Sequence, residues 1–331
     1  MPEGDTVKRS AERLDRALAG APLIALELRW GDLGALNLVP CSTIDVTSRG
    51  KHLLHRLDLG LTLHTHLRME GSWRLARTDA VTRRESADRG VRVRAASPTW
   101  TALGLRLGLV EVWPTGEERR RLGYLGPDIL GADWDLDRVV AAIRRGGVLD
   151  GSASPADVPG PGPRTAAALA PHPSRTLGES LLDQRVLAGL GTMWTSEALF
   201  AARLSPWSPA GAATEPALAV LLERTQRLMR QAVASGIQTA TGRTRRGELT
   251  NVHGRSGRPC NRCGDVIRIA PIGPPLRERV LTYCPTCQGG LAPTDDGARQ
   301  HPLGSAPRAR GRPRTSGRST PAPGREPRGR S

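Results

Sequence analysis

Met1-Pro2-Glu3-Gly4-Asp5 leads directly into the first helical pattern of the chain. Apolar residues at helical spacing predict one helix over residues 2–19, ended by Gly20; they are Val7, Ala11, Leu14 and Leu18. Pro2 has two interpretations here. It suits a first helical turn, where its missing N–H costs nothing. If Met1 is removed, Pro2 instead provides a terminal secondary amine that titrates at about pH 8 and can attack an aldehyde-level carbon, with Glu3 beside it to move protons.

Beyond this helix the apolar period changes to two. Residues 61–69 alternate between an apolar and a polar face, which predicts a half-buried strand. Further strand-like runs cover residues 43–47, 52–58, 91–95 and 103–113, and residues 77–100 are predicted to be a polar loop between strands. Together with a short helix over 133–145, these runs predict a β-sandwich or barrel domain spanning residues 2–145.

The second half of the chain has a different composition. Proline and glycine dominate residues 146–175, which predicts a linker. Residues 176–250 are predicted to be helical: Thr176-x-x-Glu179 is a capping box, its helix runs to Gly189-Leu190-Gly191, a second helix starts at Thr192, and a third spans 215–234. Residues 251–290 contain four cysteines, and the composition of 291–331 predicts a disordered basic tail.

The cysteines form two Cys-x-x-Cys pairs separated by 20 residues: Cys260, Cys263, Cys284 and Cys287. This spacing predicts a four-thiolate zinc ribbon with one structural Zn²⁺, and residues 266–270 and 280–283 can form its hairpin. A redox pair or chance spacing is the alternative. Arg279 lies on the predicted hairpin, where it can reach a phosphate or remain a solvated surface charge.

A formal net charge of +16 indicates a polyanionic partner. Nucleic acid fits better than a membrane surface, because the sequence has no long apolar run and no basic amphipathic helix. Residues 302–331 contribute eight arginines and one glutamate, yet the remainder of the chain is also net positive. The glycine joint, Gly189-Leu190-Gly191-Thr192, adds a second signal, since a tight turn at a helix N-terminus suits a phosphate. A plain turn between two helices is its alternative.

Seven motifs occur in one order along residues 2–288: Pro2-Glu3-Gly4, Gly50-Lys51-His52-Leu53, His66-Leu67-Arg68-Met69-x-Gly71-Ser72, Leu125-Gly126-Pro127-Asp128, Leu181-Leu182-Asp183-Gln184, the glycine joint and the cysteine pairs. In this order they resemble the formamidopyrimidine-DNA glycosylases and endonuclease VIII, most closely the actinobacterial endonuclease VIII-like branch. The resemblance implies a multi-domain α+β fold with an N-terminal helix plus β-sandwich, a helix-two-turns-helix DNA-binding domain and a C-terminal zinc ribbon. It makes residues 2–145 the catalytic domain.

The resemblance also implies roles for individual residues. Pro2 resembles the nucleophile that attacks C1′ of a damaged nucleotide and forms a Schiff base. Glu3 resembles the proton-moving acid/base, and Lys51 resembles the lysine that holds the phosphate beside the lesion. Gly191 and Thr192 correspond to DNA contacts of the glycine joint.

A base that leaves the stack must be replaced by something that fills the hole. Met69 matches the family's void-filling residue, although it also continues an apolar strand face and can be a core methionine. The purine-specific branch adds an arginine–phenylalanine wedge, whereas this chain has Leu105-Arg106-Leu107-Gly108 there. The aromatic ring is absent, so Arg106 or Leu107 is the candidate for insertion.

Two positions depart from the family pattern. The second N-terminal glutamate, expected at position 6, is Thr6, and the asparagine of the glycine joint is Thr192. Threonine still offers a hydroxyl donor and can cap the helix, so weaker rather than lost DNA binding is expected. His64 and His66 share a strand face and are predicted to be structural or DNA-contacting rather than metal ligands.

These observations predict a cytoplasmic, nucleoid-associated bacterial monomer that acts on damaged double-stranded DNA, with single-stranded or bubble DNA as the alternative substrate and no membrane partner. The predicted function is a bifunctional DNA glycosylase/AP lyase that removes oxidised pyrimidines. One alternative is the same chemistry on oxidised purines. Another is a zinc-dependent DNA-binding protein that cleaves only abasic sites or excises no base.

Overall fold

The computed structural model describes residues 2–146 and 175–300. Its strands are β1 (Pro22–Leu23), β2 (Ala25–Leu28), β3 (Cys41–Arg49), β4 (His52–Leu57), β5 (Leu61–His66), β6 (Ser72–Arg77), β7 (Val91–Ala96), β8 (Trp100–Leu105), β9 (Leu109–Pro114), β10 (Arg268–Ile272) and β11 (Arg279–Tyr283). Its α-helices are α1 (Gly4–Leu18), α2 (Arg83–Ser86), α3 (Glu118–Leu122), α4 (Leu136–Arg144), α5 (Leu177–Leu182), α6 (Thr192–Ala202) and α7 (Glu215–Ser235).

Helix α1 packs on two antiparallel sheets that share one core. The sheets have the strand orders β1-β3-β4-β5-β9 and β2-β7-β8-β6. The four apolar residues predicted to line one face of the helix are all buried in this core, which confirms the predicted helix: Val7, Ala11, Leu14 and Leu18. The α+β class, with an N-terminal helix and a β-sandwich, is likewise observed.

The strand predictions need three corrections. Both faces of β5 are buried over residues 62–65, because helix α1 and the second sheet cover one face and a histidine–tryptophan cluster covers the other. The run predicted over 103–113 is two strands, since the backbone turns at Arg106 with φ of 47° and β8 ends at Leu105. The loop predicted over 77–100 contains α2 and β7, so two separate segments, residues 78–90 and 97–99, connect its strands.

The helices of the second half surround a separate core. The capping box predicted at Thr176 is present in both directions, with the Thr176 hydroxyl accepting from the Glu179 N–H and the Glu179 carboxylate accepting from the Thr176 N–H. Helix α5 nevertheless ends at Leu182, well before the predicted Gly189. The Asp183 carbonyl there accepts the N–H groups of Val186 and Leu187, so the chain turns instead of continuing the helix.

Strands β10 and β11 form the predicted hairpin between the cysteine pairs, in a register that joins Arg268 to Tyr283 and Ile272 to Arg279. The predicted start of the tail at 291 is too early, because residues 291–300 pack on this hairpin. Asp295 forms a buried ion pair with Arg268 and accepts the Tyr283 hydroxyl at 2.6 Å. The predicted linker lies outside the described residues over 147–174, as does the tail from 301 onward.

Among the helices that the structure describes, none has the length and apolarity required to cross a membrane.

Candidate active site and nucleic-acid interface

Glu3 lies at the N-terminus of a helix that begins far along the chain. Its carboxylate accepts the Gly191 N–H at 2.7 Å and the Met193 N–H at 2.8 Å, with a longer bond of 3.4 Å from the Trp194 N–H. The first N–H groups of a helix have no intrahelical acceptor, and the helix dipole favours a negative charge there. Glu3 therefore precedes α1 in sequence and caps α6 in space.

Burial is the dominant influence on Glu3. The residue is completely buried, and this burial raises the pKa of its carboxyl above the ordinary glutamate value. The positive charge of Lys51 and the two short N–H bonds act in the opposite direction without cancelling the effect. A carboxyl with a raised pKa is suited to exchange protons near neutral pH.

Pro2 lies just before this capping residue and is half-buried. Helix α1 begins at Gly4 with Glu3 as its N-cap, so Pro2 occupies no position in the first helical turn. The helical interpretation of Pro2 is therefore wrong. The chain approaches the glycine joint closely here: the Gly4 N–H donates to the Gly189 carbonyl at 2.9 Å, and a Cβ on Gly4 would lie 2.9 Å from the Gly189 Cα.

The glycine joint binds a carboxylate where the sequence predicts a phosphate. The Gly191 N–H is already bonded to Glu3, and a Cβ on Gly191 would lie 2.6 Å from the Glu3 carboxyl carbon. Gly191 is buried and its N–H is taken by Glu3, so this N–H is not free for a phosphate, and a DNA contact of Gly191 stays a prediction. Thr192 is 9% exposed at the first position of α6, and its role as a DNA contact stays a prediction.

Lys51 reaches the same joint from the sandwich. It follows Gly50, which has φ of 58° and turns the chain from β3 into β4, and the Lys51 Nζ donates to the Leu190 carbonyl. Burial lowers the pKa of Lys51 to about 8, with the negative charge of Glu3 opposing the shift and the positive charge of Arg279 adding to it. Lysine, glutamate and arginine from three distant parts of the sequence thus share one electrostatic environment.

Arg279 is the first residue of β11, and its side chain is exposed. Its positive charge adds to the lowering of the pKa of Lys51, so the two cations act on one another electrostatically. Two neighbouring cations, one partly buried and one exposed, provide a suitable place for an anion such as a phosphate.

The predicted insertion residues have different environments. Met69 is 63% exposed on the turn after β5, so the core interpretation of this methionine is wrong. Leu107 is only 3% exposed within the sandwich core and is not available to insert, which contradicts its prediction. Arg106 is exposed on the turn between β8 and β9. Sequence reasoning missed Arg68, which is exposed next to Met69 and has φ of 51°. Its side chain packs over the backbone of Gly108, on the turn between β8 and β9.

The histidines form a hydrogen-bonded chain beside Lys51. The His64 Nδ1 lies 3.0 Å from a Glu111 oxygen, and the His64 Nε2 lies 2.8 Å from the His52 Nδ1. The His66 Nδ1 accepts the Arg68 N–H at 2.9 Å. Within residues 2–146 and 175–300, these histidines are not part of any group of three or more side chains arranged to hold a metal ion, which agrees with the structural interpretation of His64.

The four cysteines at the base of the hairpin converge as predicted. All four Sγ atoms lie within 4.8 Å of one another: Cys260, Cys263, Cys284 and Cys287. A tetrahedral zinc–thiolate centre with Zn–S bonds of about 2.3 Å requires sulfur atoms at about this separation. The cluster can therefore hold a metal ion, and Zn²⁺ fits its donor set.

Two glutamines support the site and carried no assigned role in the sequence. The Gln238 Nε2 donates to the buried Asp5 at 3.0 Å and ties the loop after α7 to α1. Gln184, the last residue of the Leu-Leu-Asp-Gln motif, bonds to both sides of the glycine joint. Neither contact has a local sequence signal, since each depends on chain segments brought together only by the fold.

Two segments match descriptions of known domains. Residues 1–106 match the formamidopyrimidine-DNA glycosylase N-terminal domain, and residues 163–243 match the formamidopyrimidine-DNA glycosylase H2TH domain. A protein of Streptomyces coelicolor named probable endonuclease 8 2 is 39% identical over 299 residues, which cover 90% of this chain and 97% of that protein. The chain belongs to the formamidopyrimidine-DNA glycosylase and endonuclease VIII family.

Two further relatives in this family of DNA glycosylases and AP lyases have lower identities, and the first of them agrees with the actinobacterial branch. A Mycolicibacterium smegmatis protein named DNA-(apurinic or apyrimidinic site) lyase Nei2 is 35% identical over 289 residues, covering 87% of this chain and 99% of that protein. A formamidopyrimidine-DNA glycosylase of Thioalkalivibrio sulfidiphilus is 29% identical over 307 residues, covering 87% of this chain and 98% of that protein.

The family fold is also seen in solved structures. Lactococcus lactis formamidopyrimidine-DNA glycosylase, bound non-covalently to DNA that contains an abasic site, superposes with a TM-score of 0.66. The match covers 87% of this chain and 100% of that chain at 20% identity, and at this identity it shows the fold alone.

Proposed function

We propose that this family member is a bifunctional DNA glycosylase/AP lyase that removes oxidised pyrimidines from double-stranded DNA. The observation that supports it most is the meeting of Glu3, Lys51 and Arg279 at the glycine joint, next to Pro2. An amine, a buried carboxyl and two cations together suit attack on a sugar carbon that lies between phosphates.

The proposed chemistry begins with Met1 removed and the Pro2 amine unprotonated. The Pro2 nitrogen forms a bond to C1′ of the flipped nucleotide, the C1′–N bond to the base breaks, and the base leaves with the electron pair and takes up a proton. Opening of the sugar ring gives an iminium. Loss of a C2′ proton then breaks the C3′–O bond and releases the 3′ phosphate, and a second elimination can release the 5′ phosphate. Water finally hydrolyses the imine and frees the protein.

The buried carboxyl of Glu3 would serve the proton transfers of these steps. Burial raises the pKa of this carboxyl, a shift that favours a group able to give up and take back a proton. Lys51 and Arg279 would hold the phosphate next to the lesion, and this contact fixes C1′ relative to Pro2.

Met69 would fill the space left by the flipped nucleotide, with Arg106 on the adjacent turn, since both side chains are exposed. The four cysteines would hold one Zn²⁺, which supplies structure and no open coordination position. Zinc bound there would fix the hairpin that presents Arg279.

Preference for pyrimidines is supported by the turn between β8 and β9. The chain has no aromatic residue there, and Leu107 is buried, so this turn offers no apolar wedge of the kind found in the purine-specific branch. Oxidised purines are the first alternative. Cleavage of abasic sites without base excision is the second, and Thr6 and Thr192 favour it because each replaces a side chain that the family pattern expects.

Borohydride trapping across a panel of duplexes tests this proposal. The duplexes carry an abasic site, thymine glycol, dihydrouracil or 8-oxoguanine, and each reaction is scored for strand cleavage and covalent adduct. We expect an adduct with the abasic, thymine glycol and dihydrouracil duplexes, and we expect mass spectrometry to place it on the peptide that begins with Pro2.

Each other outcome has a defined meaning. No adduct on any duplex, or an adduct mapped to a lysine, would contradict the proposed mechanism. Preferred reaction with 8-oxoguanine would support the purine alternative. Reaction with the abasic duplex alone would support the lyase-only alternative.

A further inference from the structure

Gln184 makes three hydrogen bonds with one amide. Its Nε2 donates to the Leu190 carbonyl at 2.8 Å and to the Leu182 carbonyl at 3.0 Å, and its Oε1 accepts the Gly189 N–H at 3.1 Å. An amide has two N–H donors and one carbonyl oxygen, so this arrangement uses every donor. The reversed amide would place its oxygen against two carbonyls, which leaves only one orientation.

Gln184 holds the Gly189 N–H and the Leu190 carbonyl, and the same two residues hold the proposed catalytic groups. The Gly189 carbonyl accepts the N–H of Gly4, directly after Glu3, and the Leu190 carbonyl accepts the Nζ of Lys51. Gln184, on the α5–α6 connection, is therefore bonded to the turn that receives the N-terminus. It also shares the Leu190 carbonyl with the lysine of the sandwich.

Other contacts near the joint do not duplicate this one. Asp128 braces the Lys51 turn through the Gly50 N–H at 2.7 Å, but its carboxylate makes no bond to the Gly189 or Leu190 peptide groups among the described residues. Gly189 has φ of 106°, a conformation that glycine adopts freely. Because glycine has no side chain, the residue itself restricts its backbone angles little. Within the described part of the chain, the Gln184 side chain bonds to both the Gly189 N–H and the Leu190 carbonyl and so joins the two ends of this dipeptide.

We propose that Gln184 is a positioning residue that sets the distance between the Pro2–Glu3 terminus and Lys51 by fixing the Gly189 N–H and the Leu190 carbonyl. This inference rests on the proposed function. Gln184 touches neither the reacting sugar nor the phosphate, and it acts through the backbone of the glycine joint. Its removal should slow chemistry far more than it weakens DNA binding, because the amine and C1′ must meet within a narrow geometry while many phosphate contacts share the binding.

The test compares Gln184→Met with Gln226→Met in the full-length protein. Both glutamines are half-buried, and Gln226 also donates to a backbone carbonyl, that of Ile129 at 2.8 Å, while within the described residues it makes no hydrogen bond to the glycine joint itself. Chemistry is measured as the single-turnover rate of borohydride trapping on an abasic duplex. Binding is measured as the Kd for a duplex with a tetrahydrofuran abasic analogue, which has no C1′ hydroxyl and forms no Schiff base.

We expect Gln184→Met to trap at least about tenfold more slowly with a Kd within about threefold of the wild type, while Gln226→Met changes neither quantity by more than about twofold. If Gln184→Met does not fold, Gln184→Glu keeps the side-chain length and the acceptor for the Gly189 N–H but loses both donated hydrogens, and the same slowing is expected.

Two results would overturn the inference while the wild type still traps DNA. One is an unchanged trapping rate in the folded Gln184 variant. The other is equal slowing in both glutamine variants, which would indicate a general effect of lost hydrogen bonds. Absence of any adduct with the wild type would instead contradict the proposed function itself.

Discussion

Lys51 is a lysine whose charge is opposed by its surroundings. Burial lowers its pKa to about 8, although the nearby Glu3 carboxylate favours the protonated form. A bound phosphate would add a second negative charge and favour protonation further, since an opposite charge nearby stabilises the charged form of an amine. DNA binding is therefore expected to take up a proton at alkaline pH.

This coupling predicts a pH-dependent affinity. Below about pH 7 Lys51 is protonated in the free protein, and the Kd for a tetrahydrofuran duplex should be constant. As the pH rises through about 8 the free lysine loses its proton, and the affinity should fall by up to about tenfold per pH unit. The measurement is fluorescence anisotropy at constant ionic strength from pH 6 to 9.5.

Lys51→Met provides the control for this prediction. The variant should bind more weakly and show a clearly flatter profile than the wild type over the same range, because the arginines stay protonated there and only the Pro2 amine still titrates beside the site. A wild-type profile that is flat, or a variant profile as steep as the wild type, would contradict the assignment of the titration to Lys51.

At the scale of the residue, sequence motifs identified the candidate site residues more reliably than they identified the contacts between them. Pro2, Glu3 and Lys51 could be named from their motifs, and the structure brings the last two together at the glycine joint. The contact between Glu3 and Gly191 could not be predicted, because it joins residues 188 positions apart through a helix N-terminus that looked free for a phosphate. The sequence could not show which of Arg106 and Leu107 is exposed, since a shift of one residue in a tight turn moves a side chain from solvent to the core.

At the scale of the element, the hairpin of β10 and β11 includes a segment that its composition concealed. Arg268 and Asp295 form a buried ion pair, with the Tyr283 hydroxyl as a further donor to the carboxylate. The Gln300 amide pairs with both the N–H and the carbonyl of Ile269, at 2.8 and 2.9 Å, in the manner of an added strand residue. Residues 291–300 therefore support the hairpin that presents Arg279.

Breaking this ion pair should destabilise the hairpin. Asp295→Ala leaves the Arg268 guanidinium buried without its carboxylate, and the loss of one partner of a buried pair costs about 3–5 kcal/mol. We expect faster zinc release to a chelator and a lower unfolding temperature. Asp296→Ala is the control, since Asp296 is exposed and bonds only to the nearby Ala298 N–H. Equal behaviour of the two variants would refute a structural role for residues 291–300.

Element boundaries were the least predictable feature. Start signals are local, so the capping box at Thr176 located the beginning of α5 correctly. Its end depends on the turn that begins at Asp183, whose carboxylate is held by the buried Arg175 and Arg185. Such an ion-paired turn is a tertiary arrangement that local sequence does not reveal. The apolar pattern continues beyond Asp183, and for this reason the sequence predicts a longer helix.

At the scale of the whole molecule, the positive charge has two parts with separable roles. The residues that converge on the glycine joint belong to the described part of the chain, whereas residues 302–331 add eight arginines and one glutamate. Cations that neutralise DNA phosphates release counterions, so the logarithm of the affinity falls linearly with the logarithm of the salt concentration.

A chain that ends at Gln300 should separate the two parts. We expect it to bind undamaged duplex more weakly at low salt, with a salt slope smaller by about 0.9 for each lost phosphate contact. Its trapping rate on a saturating abasic duplex should match that of the full chain, because the site and the hairpin are intact. A slower trapping rate at saturation would assign the tail a part in chemistry, and an unchanged salt slope would show that the tail does not contact DNA.

The order of motifs along the sequence was sufficient to predict the fold class and the arrangement of helix, sandwich, helical domain and hairpin. It could not predict how those parts meet. The glycine joint receives a carboxylate from one end of the chain and a lysine from the sandwich, and it lies beside an arginine from the hairpin. Each of these contacts follows from packing over long sequence separations, for which single motifs carry no signal.

The complete burial of Glu3 restricts when the initiator methionine can be removed. An aminopeptidase must hold an extended N-terminal stretch, and such a stretch no longer exists once Glu3 is bonded to Gly191 and Met193. In the proposed mechanism, Met1 therefore has to leave before Gly191 and Met193 have docked on Glu3. The amine of that mechanism is then released on a polypeptide that has no site to use it, and the completion of folding, rather than the cleavage, completes the proposed site.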